Sequence, residues 1–149
     1  MRKKFKAFLT GIMVMCVVLM FSVSAYALVY SDSFYDAVSW TWEYSAPDTT
    51  SYNCLGYATG SMCWEWPWTG KPDIASVTTY LSNKGYSSSG NWAQIIAYGN
   101  PWEITHFSKV TGLSWCRAKW GSLERFNHAS WDPYYYSSSY GRKVKVFYQ

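Results

Sequence analysis

Ser51-Tyr-Asn-Cys-Leu-Gly-Tyr-Ala-Thr-Gly60 is the stretch on which the fold turns. A polar run leads into Asn53, a good N-cap residue, and Leu55, Tyr57 and Ala58 continue a helical turn that Gly60 closes. This reading puts the Cys54 sulfur at a helix N-terminus. Unpaired N–H groups and the helix dipole favour an anion there, so the thiol is expected to ionise below its free pKa of about 8.5. A nucleophilic thiol needs a base. The candidate is His106, within Glu103-Ile-Thr-His-Phe-Ser-Lys-Val110, which reads as a β-strand. The competing reading makes Cys54 an inert small hydrophobe inside a Tyr/Ala-rich helix.

Compartment follows from the N-terminus. Met1-Arg-Lys-Lys-Phe-Lys6 is a basic start, an apolar run extends from Ala7 to about Val23, and Ala25-Tyr-Ala27 supplies a small-x-small cleavage pattern. Residues 1–27 are therefore expected to be a removed secretory signal of bacterial type, with no membrane span in the mature chain. Cys16 follows Met15, not the small residue that a lipid-anchoring cysteine requires. Removal of the signal takes four basic residues and no acidic ones, leaving nine of each. The formal charge of +4 thus belongs to the signal, and nothing in the mature chain points to nucleic acid. The remainder suits one small domain, poor in charge and rich in Trp, Tyr and Ser, a composition common among exported proteins that work on cell walls.

Cys54, Cys63 and Cys116 remain, and an odd number outside the cell implies one free thiol or an intermolecular bridge. The preferred assignment frees Cys54 and leaves Cys63 and Cys116 paired or buried. A Cys54–Cys63 bridge is the rival, and it would abolish the nucleophile. No Cys-x-x-Cys pair is present and His106 and His128 are the two histidines, so neither a metal nor another cofactor is expected.

Residues 28–50 mix aromatics with Ser, Asp and Pro and read as an extended aromatic leader, with Trp40 and Trp42 on one strand face. Residues 51–149 read as the single domain. After the Cys54 helix, Trp64, Trp66 and Trp68 around Pro67 are candidates for a substrate groove or for core packing. Lys71 to Gly85 is the clearest helix, capped by Asp73, with Ile74, Val77 and Leu81 on one face and Gly85 as terminator. Strands are expected over Trp92–Tyr98, Glu103–Val110 and Leu113–Trp120, and over Lys143–Tyr148 with Val144 and Val146 inward. Alternation places Ile104, His106, Ser108 and Val110 on one face. Ser122 to Trp131 is ambiguous, and Tyr134-Tyr-Tyr136 lies in an aromatic loop. Helix first, then antiparallel strands, is an α+β pattern.

Asn53-Cys54 opening a helix, a supporting helix, then Ile95-Ile-Ala-Tyr98 and Ile104-Thr-His-Phe107 on strands resembles the papain-like fold, in the order of the NlpC-type cell-wall hydrolases. More closely, Cys54-Leu-Gly-Tyr-Ala-Thr-Gly60, Trp66-Pro67, Thr105-His106, Ala118 to Glu124, His128 and Tyr140-Gly141 resemble a small, largely uncharacterised bacterial family. The resemblance implies an N-terminal helix bearing the cysteine, packed on a small antiparallel sheet. It also implies Cys54 as nucleophile and His106 as general base. The orienting third residue is unassigned. Position 118, where NlpC-type enzymes place a polar residue, is alanine, and His128 and Glu124 are the fallback candidates.

Two classes of function compete. One is a secreted or wall-associated cysteine hydrolase of amide bonds, acting on peptides or peptidoglycan-like substrates. The other is a non-enzymatic wall- or glycan-binding module using the clusters Trp64, Trp66, Trp68 and Tyr134, Tyr135, Tyr136, or an inactive papain-like fold.

Overall fold

The computed structural model describes residues 27–137 and 139–149, so the expected signal segment lies outside the described residues except for Ala27. The chain is α+β. Among the described residues, three short helices, α1 (Asp32–Val38), α2 (Cys54–Thr59) and α3 (Ile74–Asn83), accompany six strands. The strands are β1 (Glu43–Ala46), β2 (Ala93–Asn100), β3 (Glu103–Val110), β4 (Cys116–Lys119), β5 (Arg125–His128) and β6 (Arg142–Tyr148). They form one antiparallel sheet in the order β1-β5-β4-β3-β2-β6. Among the described residues, no helix is long and apolar enough to cross a membrane.

Both faces of the sheet are covered. On one side α2 and α3 lay Leu55, Ala58, Val77 and Leu81 against Ile95, Ala97, Phe107 and Phe147. Each fully buried aliphatic or phenyl side chain there contributes about 1.5–3 kcal/mol. On the other side α1 and the 129–141 loop cover an aromatic layer of Tyr35, Tyr98, Trp120, Phe126 and Tyr134. The α3 helix forms where its caps and period say it should. Asp73 accepts from the Ser76 N–H at 2.7 Å, and Val77 and Leu81 are buried one turn apart.

Several expectations are corrected. Residues 28–50 are not an extended leader. They fold into α1, which buries Tyr35 and Val38 at i and i+3, and into β1, which pairs with β5 at the sheet edge. Through β1 the segment joins the same sheet as the later strands. The ambiguous 122–131 segment contains strand β5, and the third strand is the short Cys116–Lys119, because residues 111–115 form its entering turn. Strict alternation fails at two places that move an expected core residue. The β2–β3 register shifts between Tyr98 and Gly99, with Tyr98 opposite His106 and Gly99 opposite Ile104. The extra residue, Thr105, moves Ile104 to the helix-side core, away from the face shared by His106 and Ser108. A second shift in β6 puts Val144 on the helix side and Val146 on the aromatic side.

Candidate active site

The N-terminus of α2 is built as the sequence requires. Asn53 Oδ1 accepts from the Gly56 N–H at 3.0 Å. The same side chain ties down the segment that follows the helix, since Asn53 Nδ2 donates to Glu65 O at 2.8 Å and Glu65 N donates back at 3.3 Å. Met62 N donates to Gly56 O at 3.1 Å, so residues 61–66 lie as a strap along α2. Glu65 anchors the strap, accepting from Thr59 Oγ1 at 2.6 Å and from Tyr80, and pairing with Lys84 at 2.5 Å.

Cys54 is a free thiol, 6% exposed, in the helix-side core. Burial pushes its pKa up to about 11, against the pull of the backbone N–H groups of Phe107, Leu55 and Cys54 itself and the charge of Lys119. The helix N-terminus acts in the expected direction. Desolvation of the thiolate is larger, so the expected low thiol pKa is corrected to a raised one.

His106 is 1% exposed, and its ring turns to the aromatic side of the sheet. Its hydrogen bond runs to Tyr134, not to Cys54. The thiol instead meets the backbone N–H of Phe107, one residue along β3. Tyr140 spans the two groups, its ring stacked on His106 at 3.9 Å and its hydroxyl within electrostatic reach of Cys54. Burial, and then the second imidazole of His128, hold the His106 pKa well below its ordinary value.

The hydrogen bonds around Tyr134 fix the proton positions. Thr41 O can only accept, so His128 Nδ1 carries a proton and donates to it. His128 Nε2 is then an acceptor and takes the Tyr134 hydroxyl proton at 3.1 Å. The Tyr134 oxygen has two lone pairs left. It accepts from Trp120 Nε1 at 3.0 Å and from His106 Nε2 at 3.2 Å. His106 is therefore the Nε2–H tautomer, with Nδ1 as its basic nitrogen. Burial lowers the His128 pKa to about 4, which keeps this order intact at neutral pH.

Of the fallback candidates, His128 joins His106 through Tyr134. Glu124 does not: its buried carboxylate accepts from Tyr35 Oη at 2.7 Å and Val29 N at 2.6 Å, bracing α1. The tryptophans divide. Trp66 and Trp68 pack edge-on at 5.5 Å and against Phe107 at 6.0 and 6.5 Å, partly buried against the helix-side core, while Trp64 is exposed. Cys116 is buried and donates to Ser130 O at 3.2 Å, whereas Cys63 is exposed and free, so the two are not bridged. Among the described residues, no three His, Cys, Asp or Glu side chains gather to hold a metal ion.

Four side chains of this site were not singled out for it by the sequence. Tyr134, Tyr140 and Trp120 sit in an aromatic-rich C-terminal half where no periodicity separates buried rings from exposed ones. Lys119 is of a residue type rarely buried without a partner. It is buried, donates to Gly121 O at 2.8 Å and to Leu123 O, lies 5.7 Å above the Tyr52 ring, and has its pKa pushed down to about 8 by burial.

A family model described as a domain of unknown function (DUF7689) matches residues 43–148. The chain belongs to that family. Its match begins at β1 and ends in β6, so it takes in the whole sheet. No curated protein and no solved structure matches the chain.

Proposed function

We propose that the protein is a secreted cysteine hydrolase of amide bonds, papain-like in plan and of NlpC type, acting on cell-wall peptides. Cys54 is the nucleophile and His106 the base. The observation that carries this reading is the His106 tautomer: a buried chain of hydrogen bonds leaves Nδ1 as the ring's basic nitrogen, on the strand whose next N–H lies near enough to the thiol to favour its ionised form. The thiol and the His106 ring face opposite sides of the sheet in the resting form, so the reaction requires a rearrangement that brings them together; Nδ1 then takes the thiol proton as sulfur bonds to the scissile carbonyl carbon. The N–H at the start of α2 stabilises the oxyanion, and His106 returns the proton to the leaving amine. Water then cleaves the thioester, releasing the acid and restoring the thiol.

Both reacting groups are neutral and buried in the described state, so this is a closed resting form rather than a preformed thiolate–imidazolium pair. Substrate reaches the sulfur only when the cover over α2 moves. Its polar groups then offset the desolvation that holds the thiol pKa up.

The test uses the mature protein with a panel of peptidoglycan stem peptides and a peptidyl acyloxymethyl ketone, products being located by mass. Amine release is expected to fall ~10³-fold or more in both Cys54→Ser and His106→Ala. The ketone should form a thioether on Cys54 in the wild type alone. Absence of both the thioether and Cys54-dependent amine release overturns the reading and leaves Cys54 a structural residue.

A further inference from the structure

A second feature lies on the outer side of the loop that carries Tyr134. Trp40, Ser130, Asp132, Tyr135 and Tyr136 line an open groove of about 450 Å³, within the ~300–1,000 Å³ range of sites for small organic ligands. We infer that this groove binds a neutral glycan chain. The inference is independent of the Cys54 reading.

Its rings are presented, not packed away. Trp40 is 56% exposed, Tyr135 44% and Tyr136 82%. Yet they are held in place. The Trp40 indole N–H donates to Asp132 O at 3.2 Å, and the Trp40 backbone N–H donates to Pro133 O at 3.3 Å. Tyr135 meets Tyr136 edge-on at 4.6 Å, with the Arg142 guanidinium 4.0 Å from the Tyr135 ring centre on its face. Behind them Ser39 Oγ donates to Pro133 O at 3.1 Å, and the Tyr134 network anchors the loop. Rings fixed before binding lose little freedom on meeting a ligand.

The chemistry of the wall selects the class of ligand. The lining has aromatic faces, the hydroxyls of Ser130, Tyr135 and Tyr136 and a carboxylate, and no aliphatic side chain of the kind that would receive a lipid or an apolar helix. Asp132 is already balanced: Arg142 Nη2 lies 3.3 Å from Oδ2, and Lys143 N donates to Oδ1 at 2.7 Å. A charged ligand therefore finds no opposite charge to claim. A sugar ring suits both features, with its C–H face on an aromatic ring and its equatorial hydroxyls at the carboxylate and guanidinium edge.

The test is calorimetric titration of the mature protein with two uncharged probes, chitotetraose and cellotetraose. Saturable binding of at least one is expected. Trp40→Ala and Tyr136→Ala should each weaken it tenfold or more, and Trp102→Ala, at an 80% exposed tryptophan outside the groove, should not. Tyr136 is so exposed that its truncation leaves the fold intact, which separates loss of a contact from unfolding. Binding should also persist in Cys54→Ser, so a failed hydrolase assay says nothing against the groove. No heat with either probe, or affinity indifferent to Trp40 and Tyr136, overturns the inference. So does preferential binding of an aromatic peptide.

Discussion

At the scale of single residues the decisive group is Tyr134, whose hydroxyl serves three buried partners at once. A phenylalanine there keeps the ring and removes the hub. Trp120 Nε1–H, His106 Nε2 and His128 Nε2 would each lose a partner in a site that excludes water, at about 1–3 kcal/mol for a group left unsatisfied. Tyr134→Phe is therefore expected to lower stability by about 2–4 kcal/mol, read as a shift in the urea midpoint, with partial rotation of His106 absorbing the rest. It should also release the Nε2–H tautomer, visible in ¹⁵N spectra of the imidazoles. An unchanged tautomer would show that the proton order is set elsewhere. None of this was legible in Tyr134-Tyr-Tyr136. Three identical residues in a turn give no periodicity, and the buried member differs from its exposed neighbours only through tertiary contacts. Cys54 and its cap were legible because Asn53 and Gly60 mark the ends of a helical turn by local chemistry alone. The thiol pKa was not, because desolvation depends on what covers the sulfur.

At the scale of elements, α2 and its strap form one unit joined by a close approach at Gly56. A Cβ there would lie 1.9 Å from Cys63 O, a backbone atom with no freedom to rotate away. Gly56→Ala must push the strap off the helix. A cost of about 1–3 kcal/mol is expected from such overpacking, together with faster proteolysis within residues 61–68. A variant as stable and as protease-resistant as the wild type would mean that the strap is not held through Gly56. The C-cap glycine is a different case. Gly60 has φ +80° and open space around it, so asparagine, which tolerates the left-handed region, should replace it at little cost. The α3 helix was readable because its caps, period and terminator agree. Strands β2, β3 and β6 were readable from their apolar runs and alternation. The α1 helix and β5 were not: each is short and polar on its outer face, and each is stabilised by the aromatic layer beneath it. The bulges that move Ile104 and Val144 across the sheet were invisible for the same reason, since an inserted residue leaves composition unchanged.

At the scale of the whole molecule, the sheet separates a mixed aliphatic and aromatic core under the helices from a mostly aromatic one, and the latter side encloses two imidazoles. This makes acid stability a property of the fold. The pKa of His128 falls from its ordinary value to about 4 and that of His106 falls well below it, in both cases because burial disfavours the charged ring. In the unfolded chain both rings titrate near 6.5. Below that pH the unfolded chain binds protons that the folded chain refuses, so stability falls as the pH is lowered. The contribution is fully present above pH 6.5, declines through the interval down to each folded pKa, and is constant below it. Each pH unit within that interval costs about 1.4 kcal/mol per histidine, so His128 alone removes about 2 kcal/mol by pH 5. The paired carboxylate of Glu65 has a lowered pKa and stays charged through the same interval, so it does not produce the slope. Urea midpoints measured from pH 7.5 to 5 are expected to drop continuously below pH 6.5, with the His128 imidazole still neutral at pH 5 by NMR. A flat midpoint over that interval, or a His128 titration near 6.5, would mean that the aromatic side admits water and that the proton order assigned to His106 is not maintained.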